Sequence, residues 1–233
     1  MKATYRGLMR ENGLKIMKKE NNIYKYKTIS EMKHELDAAT SVSGGELDVD
    51  TTQKVLKASY QKKNEDMNGY IVDKELSGQR VKVYHHPTEN KTLVVHKGTA
   101  SIQDWGTNLA MTFGIKTGKR FKHAKKIQKQ AEAKYKDSEK ITLGHSLGAK
   151  IAEDVGKNEV ITLNKPTLPL DVITGKKVKK NQTDVRTERD PVSILRGLQR
   201  GRKATVIKSK TFNPFEEHSV DVLNRVNVSH VGV

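Results

Sequence analysis

The chain has 233 residues and a formal net charge of +17; 34% of its residues are hydrophobic and 30% charged. That length accommodates one sizeable domain with an accessory segment. The absence of cysteine excludes disulfides, thiolate metal sites and cysteine nucleophiles; no apolar run approaches the roughly 18–20 residues of a membrane span; and the charge favours polyanions, whether nucleic acid, acidic lipid or acidic protein.

The opening stretch, "MKATYRGLMRENGLKIMKKENN", is basic without a continuous apolar core, so it does not read as a secretory signal. Without cysteine, a reducing cytoplasm is the simpler setting. Residues 1–45 read as a basic N-terminal extension that breaks at Gly44-Gly45, leaving 46–233 as the main domain. "DVDTTQKVLKASYQKK" predicts a helix starting at Asp50 or Thr51, with Val55, Leu56 and Tyr60 on one face. "QRVKVYHHPTENKTLVVHKGT" predicts two strands joined by a turn over 87–90. The first alternates and reads as half-buried; the second, Leu93-Val94-Val95, is continuous and reads as central.

"KRFKHAKKIQKQAEAKYK" predicts an amphipathic helix with Phe121, Ala124, Ile127, Ala131 and Tyr135 as its apolar stripe and Lys122, Lys125, Lys126 and Lys129 elsewhere. Further strands are predicted at 140–143 and within "EVITLNKP", "TDVRTERDPVSIL" and "KATVIKSK", with a late helix in "HSVDVLNRV". There is no internal repeat. Strands alternating with helices predict an α/β fold whose sheet is largely parallel in its middle.

Within "KITLGHSLGAKIAEDVG" a buried strand meets a helix through Gly144-His145-Ser146-Leu147-Gly148. Such a corner places Ser146 at the carboxyl end of the sheet, where open α/β folds bind ligands. The helix from Leu147 aims free N–H groups and its positive dipole end at the same place, and the Leu147 N–H is set to stabilise an oxyanion. The plainer reading is a glycine-assisted turn with Ser146 as an N-cap. The pentapeptide alone does not choose between them.

The surrounding segments resemble the class 3 lipase family of α/β-hydrolases. "LVVHKGTASIQDWGTNL" is similar to the family's oxyanion strand and lid segment, "ITLGHSLGAKIA" to its elbow, and "VITLNKP" to the strand after the elbow helix. "RTERDPVSIL" and "NPFEEHSVDVL" resemble the segments that carry the acid and the histidine. The matches span about residues 80–225, in the hydrolase order Ser, Asp, His. The resemblance implies an α/β-hydrolase-like fold, a mostly parallel central sheet flanked by helices. The short chain between acid and histidine implies a minimal cap.

By the same resemblance Ser146 is the nucleophile, Asp190 the acid and His218 the general base. Thr99 and Leu147 supply oxyanion N–H groups, the Thr99 hydroxyl adds a third donor, and Trp105 belongs to a lid. No cofactor and no metal are implied. Two positions depart from the family pattern: Lys97 replaces the usual arginine before Gly-Thr, which weakens any bidentate pair there, and Ala149 stands where glycine is frequent. The terse "LNKP" and "HSVDVL" segments are further similar to small lipase-like proteins of large DNA viruses, which would imply virion partners and virion association.

Each role has a rival. His230 competes with His218 as base, but lies at a chain end. Asp171 and Asp184 compete with Asp190, although Asp184 reads as the start of its strand and thus the wrong sheet edge. His145 reads as packing or support for the oxyanion loop, and Trp105 as either core or acyl contact. The clusters "KKVKK" and "RGLQRGRK" contain no aromatics, which argues against specific nucleic-acid recognition and for peripheral contact with anionic phospholipid surfaces.

The expected activity is therefore a serine esterase cleaving lipid or phospholipid acyl esters, in the cytoplasm or at a membrane surface. The alternatives are a lipase-fold attachment protein with an idle triad and a basic polyanion binder. The sequence leaves the oligomeric state open.

Overall fold

The computed structural model describes residues 16–20, 23–27, 47–99, 117–201 and 203–228. Within the basic extension, β1 (Ile16–Glu20) and β2 (Ile23–Lys27) pair antiparallel. A second sheet has seven strands in the order β3-β4-β5-β6-β7-β8-β9. Its strands are β3 (Ile71–Val72), β4 (Val81–His86), β5 (Lys91–His96), β6 (Glu139–His145), β7 (Glu159–Leu163), β8 (Gln182–Thr187) and β9 (Thr205–Ile207). β3, β4 and β5 pair antiparallel; from β5 to β9 every pairing is parallel. The carboxyl ends of β5 to β9 therefore share one sheet edge.

Helices cover both faces. On one, Val55 and Leu56 of α1 (Val49–Ala58) pack with Leu93, Val95, Ile141, Leu143, Ile161 and Leu163, joined by Val222 and Leu223 of a late 3-10 turn. On the other, Ile127 and Ala131 of α2 (Thr117–Lys134) cover Val81, Val83 and Val94. Phe121 and Ala124 meet Leu147, Ile151 and Val155 of α3 (Leu147–Val155), a stripe at i, i+4 and i+8. The predicted stripe of α2 is thus the one it buries.

Two local expectations are corrected. α1 begins at Val49 because Asp48 is the N-cap, accepting the Thr51 N–H at 2.8 Å. β4 is not half-buried: Val81, Lys82, Val83 and Tyr84 are all buried, since layers cover both its faces. The Lys82 ammonium is satisfied by the Lys63 carbonyl at 3.0 Å and the Asn64 side chain.

Beside α3 the sheet carries a buried charge network. Lys165, just past β7, reaches Glu153 at 2.6 Å and Asp184 at 3.4 Å. Asp184 also accepts from Thr162, from Gln182 at 2.6 Å, and from Arg196 in the 3-10 turn Ile194–Leu198. Lys150 joins Glu153 at 3.0 Å to Asp171 at 2.8 Å, the latter on α4 (Pro169–Ile173). Both rival acids are thereby paired away from the strand ends.

Candidate active site

The backbone of Ser146 answers the question its pentapeptide raises. Its φ of 57° and ψ of −130° lie outside the extended region of an N-cap, and its side chain makes no capping bond. A non-glycine residue held there stores strain of order ~1–3 kcal/mol. Three contacts enforce it. The Ser146 N–H is bonded to Leu163 O of β7 at 3.0 Å. A Cβ on Gly148 would stand 2.0 Å from the His96 carbonyl, and one on Gly144 2.2 Å from the Gly148 carbonyl. The glycines are therefore required by close backbone approach. Leu147 is the first residue of α3, so its N–H has no intrahelical acceptor and points from the elbow.

The same crowding brings the end of β5 alongside. A Cβ on Gly98 would lie 3.1 Å from Ser146 Cβ, 2.7 Å from His145 O and 2.3 Å from the Tyr60 hydroxyl. Thr99 follows directly, half-buried. Arg120, from the first turn of α2, holds this loop by donating to the Lys97 carbonyl at 2.8 Å and the Gly98 carbonyl at 3.4 Å.

Asp190 and His218 meet at the same edge, fully buried, with His218 Nδ1 2.7 Å from Asp190 Oδ1. Opposite a carboxylate, Nδ1 is the donor and Nε2 the basic nitrogen. Asp190 is itself oriented by the Val192 N–H at 3.3 Å, the Ser193 N–H at 2.9 Å and the Ser193 hydroxyl. His218 closes the short helix α5 (Pro214–His218) rather than opening the next segment, as its sequence implied. The preceding carbonyl, of Glu217, accepts from Asn164 Nδ2 at 3.0 Å and from Thr187. The Glu217 carboxylate is clamped by Arg225 at 2.8 and 2.9 Å.

His145 links Ser146 and His218. Its Nε2 lies 2.6 Å from the His218 carbonyl and its Nδ1 2.7 Å from the Tyr60 hydroxyl. A carbonyl only accepts, so Nε2 carries the proton and Nδ1 accepts from Tyr60. Burial, reinforced by neighbouring His218, pushes the His145 pKa down to about 3, fixing the neutral ring. The two imidazoles stand 4.8 Å apart, centre to centre.

The structure thus brings Asp190 and His218 into contact and sets Thr99, Leu147 and Ser146 at the same strand ends, with His145 as the bridge. Trp105 and His230 lie outside the described residues. Sequence reasoning missed Tyr60, Arg120, Asn164 and Glu217 as supports. Only Asn164 left a trace, in the "LNKP" strand end. Among the described residues no group of three or more histidine or carboxylate side chains forms a metal-binding cluster, and no helix is long and apolar enough to cross a membrane.

The mostly parallel seven-stranded sheet, flanked by helices and carrying a strand–serine–helix elbow at its carboxyl edge, is an α/β-hydrolase-like fold. Residues 37–208 match the phospholipase-like family described as the Tle-like phospholipase domain, and the chain belongs to that family. No curated protein matches the sequence.

Among solved structures, the chain is similar to the Rhizomucor miehei lipase propeptide complex at 14% identity, over 72% of this chain and 64% of that one, with a TM-score of 0.42. It spans less than two thirds of that lipase. Lip2 lipase from Yarrowia lipolytica is 14% identical over 72% of this chain and 80% of that one, TM-score 0.43. A lipase from Rhizopus microsporus var. chinensis is 15% identical over 71% and 69%, TM-score 0.42.

Proposed function

We propose that the protein is a serine esterase that cleaves acyl ester bonds of lipids or phospholipids through an acyl-serine intermediate. The observation that carries the reading is the buried His218–Asp190 pair, 2.7 Å apart, at the sheet edge where Ser146 is held at positive φ. Ser146 Oγ attacks the ester carbonyl carbon while His218 Nε2 takes its proton. The oxyanion that forms is stabilised by the Leu147 and Thr99 N–H groups. Collapse breaks the C–O bond, and the leaving alcohol receives the proton from His218. Water then attacks the acyl-serine with His218 again as base, releasing the fatty acid and restoring Ser146. Asp190 holds the imidazole tautomer throughout.

The catalytic unit in this reading is residues 46–233; the family match reaches back to residue 37, into the basic extension. Exposed Lys122, Lys125, Lys126 and Lys129 of α2 would draw the enzyme peripherally to anionic lipid surfaces. Labelling with a fluorophosphonate probe tests the chemistry. The parent should label, Ser146→Ala and His218→Ala should not, and Asp190→Asn should label far more slowly. A parent that stays unlabelled, in solution and on anionic vesicles, returns the chain to the attachment-protein reading.

A further inference from the structure

Beside the proposed oxyanion loop lies a cavity of about 340 Å³ whose wall includes Gly98 and Thr99. Among the described residues its charged lining is Lys62, Arg80, Lys97 and Arg120, with no aspartate or glutamate. Another surface cavity, among the described residues, differs in its lining. That one is lined by Lys125, Lys129, Lys157 and Lys179, but also by Glu132 and Asp154. Half of its positive charge is compensated internally: Lys157 pairs with Glu132 at 2.8 Å and Lys125 with Asp154 at 3.7 Å. Four cations around one hollow, with no carboxylate among the described residues that line it, repel one another, and an anion is the ordinary remedy.

The cations are held in place. Arg120 is anchored through Nη2 to the Lys97 and Gly98 carbonyls, while its Nε is buried and meets no acceptor among the described residues. Lys97 Nζ sits over the Tyr60 ring, 5.6 Å from its centre. Burial, together with Arg80 nearby, shifts the Arg120 pKa downward. Arg80 and Lys62 are exposed at the mouth.

We propose that this cavity is a subsite for the phosphate of a phospholipid head group, selecting anionic glycerophospholipids over neutral acylglycerols. The inference rests on the esterase reading for its geometry. The loop that would hold the ester oxyanion through Thr99 is one wall of the cavity, and in a glycerophospholipid the phosphate lies only a few bonds from the scissile acyl ester. Guanidinium groups suit a phosphate because their planar forks match its oxygens. A free phosphate ion offers the same oxygens, so the test separates the two.

Dihexanoyl phosphatidylglycerol and dihexanoylglycerol, both kept monomeric so that no lipid surface contributes, are compared with the parent, Arg80→Gln and Lys62→Gln/Arg80→Gln. Circular dichroism checks the fold, and Arg80→Lys serves as the conservative rescue. The parent should favour the phospholipid. The ratio of its kcat/KM to that of the neutral lipid should drop at least about tenfold in the double variant, chiefly through KM. Equal ratios in parent and variants overturn the proposal. So does inorganic phosphate inhibiting both lipids equally while the ratio stays unchanged, since that describes a free-phosphate site.

A binding arm avoids the chemistry altogether. Ser146→Ala titrated calorimetrically with glycerophosphoglycerol should show binding that Arg80→Gln removes; absence of binding overturns the subsite. Binding without hydrolysis of either lipid leaves the subsite standing and sinks the esterase reading instead.

Discussion

His145 Nε2 donates to the backbone carbonyl of His218 at 2.6 Å, so the residue before the elbow serine holds the main chain of the proposed base. Tyr60 completes the link, donating to His145 Nδ1 at 2.7 Å. One hydrogen-bonded line therefore runs from a tyrosine through a neutral histidine to the backbone of the proposed base. Tyr60→Phe should lower kcat about fivefold to tenfold with KM little altered, the effect of one lost hydrogen bond. His145→Phe should cost about a hundredfold, because a misplacement near 1 Å suffices for that. Equal losses in kcat and in thermal stability, with KM rising in parallel, would mean a purely structural role.

The strain at Ser146 predicts a trade between stability and activity. Glycine accepts a φ of 57° without penalty, so Ser146→Gly should be more stable than the parent by about 1 kcal/mol, after its own entropy loss. In a chain of this size that is a rise in Tm of roughly 2–4 °C, accompanied by complete loss of esterase activity. Calorimetry on the two proteins decides it; a less stable Ser146→Gly would show that the elbow is relaxed.

The buried network beside α3 should respond unequally to the removal of one partner. Lys165→Met leaves the buried Glu153 and Asp184 carboxylates short of a counter-charge and should cost about 3–5 kcal/mol in urea unfolding. Removing the exposed Lys63–Glu65 pair, 3.9 Å apart, should change nothing measurable. Similar responses from the two would contradict the burial of the first.

Acid should destabilise the fold from near pH 6.5 downward. Burial pushes His145 and His96 down to about 3, with His218 and Arg120 respectively adding to the effect. Unfolded histidine titrates near 6.5, so between the two values the unfolded chain binds more protons. Their contribution is complete above pH 6.5 and is lost as pH falls, at up to about 1.4 kcal/mol per pH unit for each histidine. Burial is the largest single influence and would raise Glu153 and Asp184, but Lys165 together with Lys150 at Glu153, and with Arg196 and hydrogen bonds at Asp184, outweighs it and both are held low. Their share disappears at still lower pH, in the same direction. Melting curves should be level from pH 7 to 8 and descend steeply below 6.5; a level profile down to pH 4.5 would refute the neutral buried pair.

The elbow was legible in the sequence because its requirements are local. Gly144 and Gly148 are demanded by backbone atoms a few residues away or on the adjacent strand, and the helix stripe of α2 repeats at a fixed spacing. Asp190 and His218 were legible only through the order of segments resembling a family. The Tyr60–His145 contact was not legible. It joins side chains 85 residues apart and leaves no periodicity in either neighbourhood. The end of α5 at His218 was hidden too, since Asn213, accepting the Phe215 N–H at 3.0 Å, starts a one-turn helix too short to show a pattern. Arg120 read as one more charge on a basic helix, because only the folded loop reveals which carbonyls it holds.

The order in which the site's parts occur along the chain carries a temporal consequence. Ser146 precedes Asp190, and His218 comes after both. Chains grow and fold from the N-terminus during synthesis, so a ribosome-bound intermediate exposes the serine well before its partners exist. In the proposed mechanism such a half-made polypeptide is inert toward the membranes around it, and reactivity switches on only when the stretch beyond residue 218 clears the exit tunnel. The position of the histidine would then act as a built-in delay on a lipid-degrading enzyme, with no separate inhibitor required during translation.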